Sequence, residues 1–274
     1  MVWRILISKE NNSAMNMAID EAIFNHVQTG RSKPTIRFYQ WDPATVSCGY
    51  NQEIKKEVDL EAIRELGFGF VRRPTGGRVV LHDHEVTYAV IAPCEGKFSG
   101  SVTESYSEIS KALAVGFKLM GIEVDFEKGY LSSEHQRKAM NPCFTSSSRY
   151  ELNYQHKKLV GSAQVRKYNC LLQHGSILLN YDQSKLAAVL PRLSPEQKGK
   201  LAKYLKKKTV SINAILNTPI EFHEAVDFFI SGFQEKWNKD EFVISNKLDM
   251  WELESSEKLR VSKYLTDGWN RRKI

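Results

Sequence analysis

The chain has 274 residues, a length that favours one large domain, or a large domain with a small appendage, over an array of domains. Hydrophobic residues make up 42% of the chain and charged residues 26%, which excludes an intrinsically disordered or fibrous protein. The 39 lysines and arginines exceed the 32 acidic residues by seven, and this excess favours an anionic partner without identifying it.

The first third of the chain mixes helices and strands. Apolar residues at helical spacing predict a helix over residues 12–27, with Ser13 placed to cap it. Residues 35–39 are rich in strand formers, and residues 58–66 return to helical spacing. Two strand-like runs at 68–74 and 78–82 then flank paired glycines, which predicts a β-hairpin followed by another strand at 86–90.

The second half of the chain begins with the clearest helix. Ser101 and Glu104 form a capping box ahead of an apolar stripe that stops at Gly121. Residues 149–154 and 158–166 are expected to form paired strands, with a third strand at 170–179. Helical spacing dominates after residue 190. These patterns predict an α+β fold, a mixed β-sheet with flanking helices, in which residues 1–190 form a catalytic domain and residues 191–274 a small helical C-terminal extension packed on it.

The four cysteines predict neither a metal site nor disulfides. They are too far apart to form a Cys-x-x-Cys pair, so no metal and no cofactor are expected; they lie at Cys48, Cys94, Cys143 and Cys170. The first twelve residues lack the apolar core of a signal peptide, and no window approaches the roughly 18 apolar residues of a membrane span. A cytoplasmic protein without a membrane partner is therefore expected.

The segment RRPTGGRVVLHDHE, residues 72–85, is the first candidate site. Gly76 and Gly77 would let the backbone approach a ligand, and Arg72 and Arg73 would supply charge for an anion. A double glycine between strands is equally typical of a tight turn, and the segment matches neither known phosphate-binding glycine motif.

Cys143 is the second candidate, because it lies in a polar, loop-like stretch, whereas the other three cysteines lie in apolar, strand-like sequence. A nucleophilic cysteine must ionise, and a nearby cation lowers the pKa of its thiol. Lys157 and Lys158 lie in the same region and make a cysteine and lysine dyad possible. Paired lysines at a hairpin tip are nevertheless usually solvated, and the sequence does not say which amine points inward.

Two weaker candidates follow along the chain. The small residues Gly161, Ser162 and Ala163 would leave room for a ligand beside a strand, or else mark a sheet bulge. His82, with the nearby His84, and His174 could act as acid or base, although a lone strand histidine is more often structural. The lysine-rich helix at 195–208 contains a single aromatic residue, which argues against nucleic acid and leaves a solvated face or a docking patch for an acidic protein.

Four ordered segments together resemble the biotin and lipoate protein ligase superfamily: RRPTGGRVVLHDHEVTY, CFTSSSRYEL, KKLVGSAQVR and LLQHGSILL. With the later DGWNRRK, they are most similar to one branch, the cysteine-dependent octanoyltransferases of lipoate biosynthesis.

The resemblance implies a two-step transfer. Cys143 would attack the thioester of octanoyl acyl carrier protein, and a lysine of the glycine cleavage system H protein, or of another lipoyl domain, would then attack the acyl-enzyme. By the same resemblance Lys158 would lower the pKa of the thiol and shuttle protons. The expected acyl and pantetheine site comprises Arg73, Thr75, Gly76, Gly77, His82, Gly161, Ser162, Ala163 and His174. A monomer that binds no nucleic acid is expected.

Two alternatives remain at this point. An ATP-dependent lipoate protein ligase shares the arginine and glycine motif and the strand lysine, but would activate the acid as an adenylate. Cys143 favours the transferase over the ligase. A basic adaptor without acyl chemistry is the non-enzymatic alternative, and it predicts strongly salt-dependent binding.

Overall fold

The structure is a computed structural model, and it describes residues 1–128, 149–180 and 183–272. The strands are β1 (Val2–Ile7), β2 (Thr35–Tyr39), β3 (Thr45–Cys48), β4 (Gly69–Arg72), β5 (Val80–His82), β6 (Glu85–Pro93), β7 (Asp125–Lys128), β8 (Arg149–Tyr154), β9 (Lys157–Lys158), β10 (Val160–Lys167), β11 (Cys170–Leu178) and β12 (Glu241–Ser245). The helices are α1 (Ser13–Gln28), α2 (Ile54–Glu57), α3 (Leu60–Glu65), α4 (Val102–Leu119), α5 (Pro195–Lys208), α6 (Ile212–Ile215), α7 (Phe222–Lys236), α8 (Met250–Leu259) and α9 (Asp267–Asn270), with short 3₁₀ turns at Gly96–Phe98 and Gln183–Val189 and a π turn at Arg260–Tyr264.

A six-stranded sheet forms the centre, in the order β10-β11-β6-β2-β1-β12. Strand β1 runs parallel to both β2 and β12, whereas the pairs β2–β6, β6–β11 and β11–β10 are antiparallel. The predicted α+β fold with a mixed sheet and flanking helices is therefore confirmed.

Helices cover both faces of this sheet. Alternate residues of its central strands point to opposite sides, and each set packs against the helices on its own side. On β6, Tyr88 and Val90 pack into the core beneath α4 and α7, whereas Ala89 and Ile91 pack against α1. Helices α4 and α7 touch closely at two glycines: a Cβ at Gly232 would lie 2.4 Å from the backbone nitrogen of Gly116.

The predicted hairpin at the paired glycines is wrong. Strands β4 and β5 lie in one three-stranded sheet, but β3 lies between them, parallel to β4 and antiparallel to β5. The four residues of β3 are all buried and supply the central strand of this small sheet. The glycine segment therefore crosses over β3 instead of reversing the chain between adjacent strands.

Within the predicted segments 149–154 and 158–166, only one pair of residues lies in register, and a second pair includes the preceding Lys157. Asn153 pairs with Lys158 and Tyr154 with Lys157, in a second small sheet ordered β7-β8-β9. From Val160 onward the chain leaves this sheet and pairs with β11 along the edge of the large one. Lys158 therefore lies where the backbone passes from the small sheet to the large one.

The helix predictions are largely confirmed. Helix α1 begins one residue later than the sequence suggested, since Asn12 is its N-cap and accepts a hydrogen bond from the Met15 amide. The capping box at α4 is present. The helix expected at 58–66 is shorter, Leu60–Glu65, because Val58 is extended and Asp59 caps α3; the short helix α2 before it was not predicted.

Residues after 190 contact the rest of the chain at several places. Helix α7 packs on α4, through Phe229 and Phe117 with ring centroids 5.1 Å apart, and β12 extends the large sheet beside β1. The division at residue 190 stays a prediction. Among the described residues, none of the helices has both the length and the apolar character that crossing a bilayer requires.

Candidate active site

A narrow cavity lies between α1, the edge of the large sheet and strand β5. The cavity is small, and its surface is mainly apolar. Six of the predicted site residues line it: Arg73, His82, Gly161, Ser162, Ala163 and His174. Its other walls come from Met17, Tyr39, Trp41, Val80, Thr87, Gly175 and Ser176.

The small residues on β10 form one wall of the cavity without a bulge. Gly161, Ser162 and Ala163 pair in regular register with Ser176, Gly175 and His174. The alternative prediction of a sheet bulge is therefore wrong. Because the side chains at these positions are small, a long, thin ligand has room to lie beside the strand.

The glycine turn borders the same cavity. Gly77 has a φ of +92°, a conformation that favours glycine, and a Cβ built on it would lie 3.8 Å from the Cβ of Ala163. The Thr75 hydroxyl is hydrogen-bonded to His174, which lines the cavity. The carbonyl of Gly76 accepts a hydrogen bond from Arg73 at 3.0 Å. Gly77 therefore lies beside Ala163 of β10, and Thr75 and Gly76 are hydrogen-bonded to the lining residues His174 and Arg73.

Arg73 holds the turn in place. Its guanidinium is buried and donates to the carbonyls of Ser47, Gly76 and Arg78 at 2.9–3.0 Å, and to the Ser47 hydroxyl at 2.7 Å. These bonds link β3 to both sides of the turn. The arginine therefore shapes the turn as well as lining the cavity.

His82 is fixed by two hydrogen bonds and a stacked ring. Its Nδ1 lies 2.8 Å from Glu85 Oε1 and its Nε2 lies 2.7 Å from the Ser47 hydroxyl. The ring stacks on Trp41 with centroids 4.4 Å apart. Glu85 also accepts from the hydroxyls of Thr87 and Ser176, so its carboxylate organises this side of the cavity.

His174 belongs to a buried polar chain between the glycine turn and α1. Its Nε2 lies 2.6 Å from the Thr75 hydroxyl and its Nδ1 lies 3.2 Å from Asp20 Oδ2. Asp20 also accepts from Arg37 at 2.6 Å and from the Tyr39 hydroxyl at 2.9 Å. Asp20 was not among the predicted site residues.

The protonation states of His174 and Asp20 follow from their burial and from the charges beside them. Burial lowers the pKa of His174, against the opposing effect of Asp20, and favours the neutral ring. Burial opposes ionisation of Asp20, but the charge of Arg37 and the bond to His174 hold its pKa below the ordinary value. An ionised carboxylate only accepts, so the neutral imidazole donates from Nδ1 and its Nε2 accepts from the Thr75 hydroxyl.

Lys158, and not Lys157, is the lysine that points inward. Its ammonium donates to Glu151 Oε1 at 2.8 Å, and the side chains of the two residues are only 6% and 5% exposed. Lys157 is exposed. Glu151 was missed from sequence, because alternation with the apolar Leu152 assigns it to the polar face of β8, whereas residues 151–153 are all buried.

Cys143 lies outside the described residues. The other three cysteines have the features of structural thiols: burial raises the pKa of Cys48 and of Cys170 to about 12, and also raises the pKa of Cys94. This agrees with the structural role expected for these three.

Of the segment DGWNRRK, noted in the sequence, residues Trp269 and Asn270 lie against Arg72 at the end of β4. The Arg72 amide donates to Asn270 Oδ1 at 2.9 Å, and the indole of Trp269 donates to the Arg72 carbonyl at 2.9 Å. The Arg72 guanidinium in turn donates to the carbonyls of Gly49, Tyr50 and Gln52. Arg72 therefore joins α9 to the loop after β3, and is not directed at an anion as the sequence suggested.

Replacing Asn270 by alanine should lower the free energy of unfolding by about 1–3 kcal/mol, because the Arg72 amide and the Tyr264 carbonyl would lose a buried partner. Urea denaturation measures this loss, with Asn238→Ala, an exposed position, as the matched control. Equal stability of the two variants would contradict a bracing role for α9.

Comparison with known proteins places this arrangement in a family. Residues 12–234 match the lipoyl protein ligase A/B catalytic domain. Octanoyltransferase LipM of Brevibacillus brevis is 41% identical over 277 aligned positions that cover 99% of each chain, and LipM of Anoxybacillus flavithermus is 39% identical over 279, covering 98% of each.

The same fold is found in a bipartite lipoate protein ligase of Thermoplasma acidophilum, solved in work on that ligase and its E2 lipoyl domain. The two chains superpose with a TM-score of 0.80 over 99% of this chain and 97% of the other, at 24% sequence identity. The resemblance inferred from the four sequence motifs is confirmed. The chain belongs to the lipoyl protein ligase A/B catalytic domain family.

Proposed function

We propose that this protein is an octanoyltransferase of lipoate biosynthesis. The observation that carries the proposal is the full-length similarity to relatives named octanoyltransferase, at 39–41% identity. The proposal is also supported by the narrow, mainly apolar cavity lined by the small residues of β10, whose character suits a saturated acyl chain. The donor would be octanoyl acyl carrier protein, and the acceptor a lysine of H protein or of another lipoyl domain.

The proposed reaction has two steps. The Cys143 thiolate attacks the carbonyl carbon of the donor thioester, a new C–S bond forms, and the pantetheine thiol leaves with a proton. The neutral amine of the acceptor lysine then attacks the acyl-enzyme, an amide forms, and the Cys143 sulfur leaves as thiolate. Lys158, left neutral after it has protonated the pantetheine sulfur, accepts the amine's proton as the amide forms.

Lys158 would act on the thiol in both steps. A buried ammonium beside the thiol stabilises the thiolate, and it can give a proton to the departing pantetheine sulfur. The bond to Glu151 fixes the position of that ammonium and limits its rotation. Glu151 is therefore proposed as a positioning residue.

The remaining predicted residues would bind the acyl chain and the pantetheine arm. Gly161, Ser162 and Ala163 would accommodate the chain, and His82 and His174 would close the cavity with side chains already held by hydrogen bonds. Arg73, Thr75, Gly76 and Gly77 would form the part nearest the thioester. Backbone amides of this turn are candidates for stabilising the oxyanion.

We further propose that the protein works as a monomer in the cytoplasm and that its catalytic part corresponds to residues 1–190. The ATP-dependent ligase is the alternative expected from sequence, and the likeness to the T. acidophilum ligase does not favour it. At 24% identity that likeness concerns the fold alone.

A transfer assay with purified components tests the proposal. We expect H protein to gain one octanoyl group from octanoyl acyl carrier protein in the absence of ATP and magnesium, as read by intact-protein mass spectrometry. Octanoate with ATP and magnesium is the matched alternative substrate. Product formed only from that mixture would overturn the transferase in favour of the ligase.

A further inference from the structure

The surface beside Lys158 is strongly basic. Helix α5 carries six lysines and one glutamate. The lysine face, as we name it, consists of Lys157, Lys203, Lys206, Lys207 and Lys208, all of them exposed. Within the described part of the chain none of these five pairs with a carboxylate, whereas Lys200 pairs with Glu196 at 2.6 Å.

The lysine face adjoins the candidate active site through the backbone. Helix α5 ends at Lys208, and the next residue, Thr209, forms a parallel bridge with Lys158. The amide of Val210 donates to the Lys158 carbonyl at 3.1 Å. Lys157, the fifth lysine of the lysine face, immediately precedes Lys158 in the chain.

Helix stability alone accounts for only part of this charge. Cations in the last turn complement the negative end of a helix, which explains a preference for lysine at 206–208. Lys203 lies before that turn and Lys157 is on a strand, so neither gains from the helix dipole. Like charges on neighbouring exposed residues repel one another, and an acidic partner would relieve this repulsion.

We propose that the lysine face docks the acceptor, an acidic folded domain whose own lysine receives the octanoyl group. This inference rests on the proposed function. A nucleophile carried on a protein's own side chain must come directly to the acyl-enzyme, so the acceptor must sit on the surface bordering Lys158. The donor presents its thioester on a long flexible arm and can dock further away. Acidic groups around the acceptor lysine would offset its positive charge during approach.

The test separates the two half-reactions. The octanoyl-enzyme is formed first from octanoyl acyl carrier protein and then mixed with H protein at several concentrations. In the triple variant Lys203→Glu, Lys206→Glu, Lys207→Glu, we expect kcat/KM of the second half-reaction to fall about tenfold or more through KM, because charge steering contributes 10- to 10³-fold to association rates. The first half-reaction should keep its parental rate.

Two further variants keep the test decisive. The neutral triple with glutamine at the same positions avoids acidic groups at the helix end and should show a smaller KM effect of the same sign. The matched control reverses Lys33, Lys239 and Lys247, exposed lysines near β2 and β12 and away from the β10 edge, with the same change in net charge. It should behave like the parent protein.

Several results would overturn the inference. Parental KM for H protein in both lysine-face triples would do so, as would an equal effect in the matched control. Slowing of the first half-reaction alone would assign the surface to the donor instead. Failure of the parent protein to form any octanoyl-enzyme would instead contradict the proposed function. In that case fluorescence anisotropy can compare the salt-dependent binding of H protein to the parent protein and to the glutamate triple variant. This comparison still tests whether the lysine face binds the acceptor.

Discussion

Replacing Cys143 by alanine should remove the octanoyl adduct and lower transfer to H protein by about 10⁴-fold or more, the scale at which loss of a covalent nucleophile acts. The other described cysteines are unsuited to replace it. Cys48 and Cys170 are buried, and the pKa of each is raised to about 12, so their thiols stay protonated at neutral pH.

Intact-protein mass spectrometry after mixing with octanoyl acyl carrier protein gives the direct measurement. Cys94→Ser is the matched control, because Cys94 is the most exposed of the three described cysteines, and it should keep the full adduct. An adduct of parental yield in Cys143→Ala would show that the covalent route runs through another residue or does not exist.

Replacing Lys158 by methionine should slow acylation of the thiol by about 10²- to 10⁴-fold, the usual contribution of a positioned acid or base. Part of this loss arises because a smaller fraction of the Cys143 thiol would be ionised without the ammonium of Lys158. A free thiol with a pKa of about 8.5 is only about 3% ionised at pH 7, so restoring full ionisation accounts for at most about 30-fold. That part should return above pH 9, whereas the part due to proton transfer should not.

A double variant separates this effect from damage to the fold. Lys158→Met leaves Glu151 buried without its ammonium, a loss worth about 3–5 kcal/mol of stability. Adding Glu151→Gln removes the buried charge and should restore most of the stability without restoring the rate. Recovery of acylation in the double variant would mean that Lys158 acts only by supporting the fold.

The fold was predictable where local patterns decide it. The capping box of α4 and the apolar stripe of α7 are complete within their own segments, so the sequence alone indicated both helices. The glycine segment was misread as a hairpin because the middle strand, β3, comes from earlier in the chain. Turn residues show that a chain bends, but not which strand pairs at either side.

Six of the residues that line the cavity were selected from the sequence, but the carboxylates that bond to Lys158 and His174 were not. The sequence indicated His82 and His174, and the family that it resembles indicated Lys158. It could not show that Glu151 holds the lysine or that Asp20 holds His174, because these partners belong to other elements of the fold. Neither carboxylate stands in a motif of its own. Such pairs depend on tertiary contact, and single-sequence patterns do not report it.

The contact between Arg72 and Asn270 joins residues 198 positions apart in the chain. During synthesis the end of β4 therefore lacks this partner until nearly two hundred further residues have been added to the chain. In a nascent chain without α9 the Arg72 amide has no buried acceptor, and we expect this end of the small sheet to reach its full stability only after α9 is released and docks.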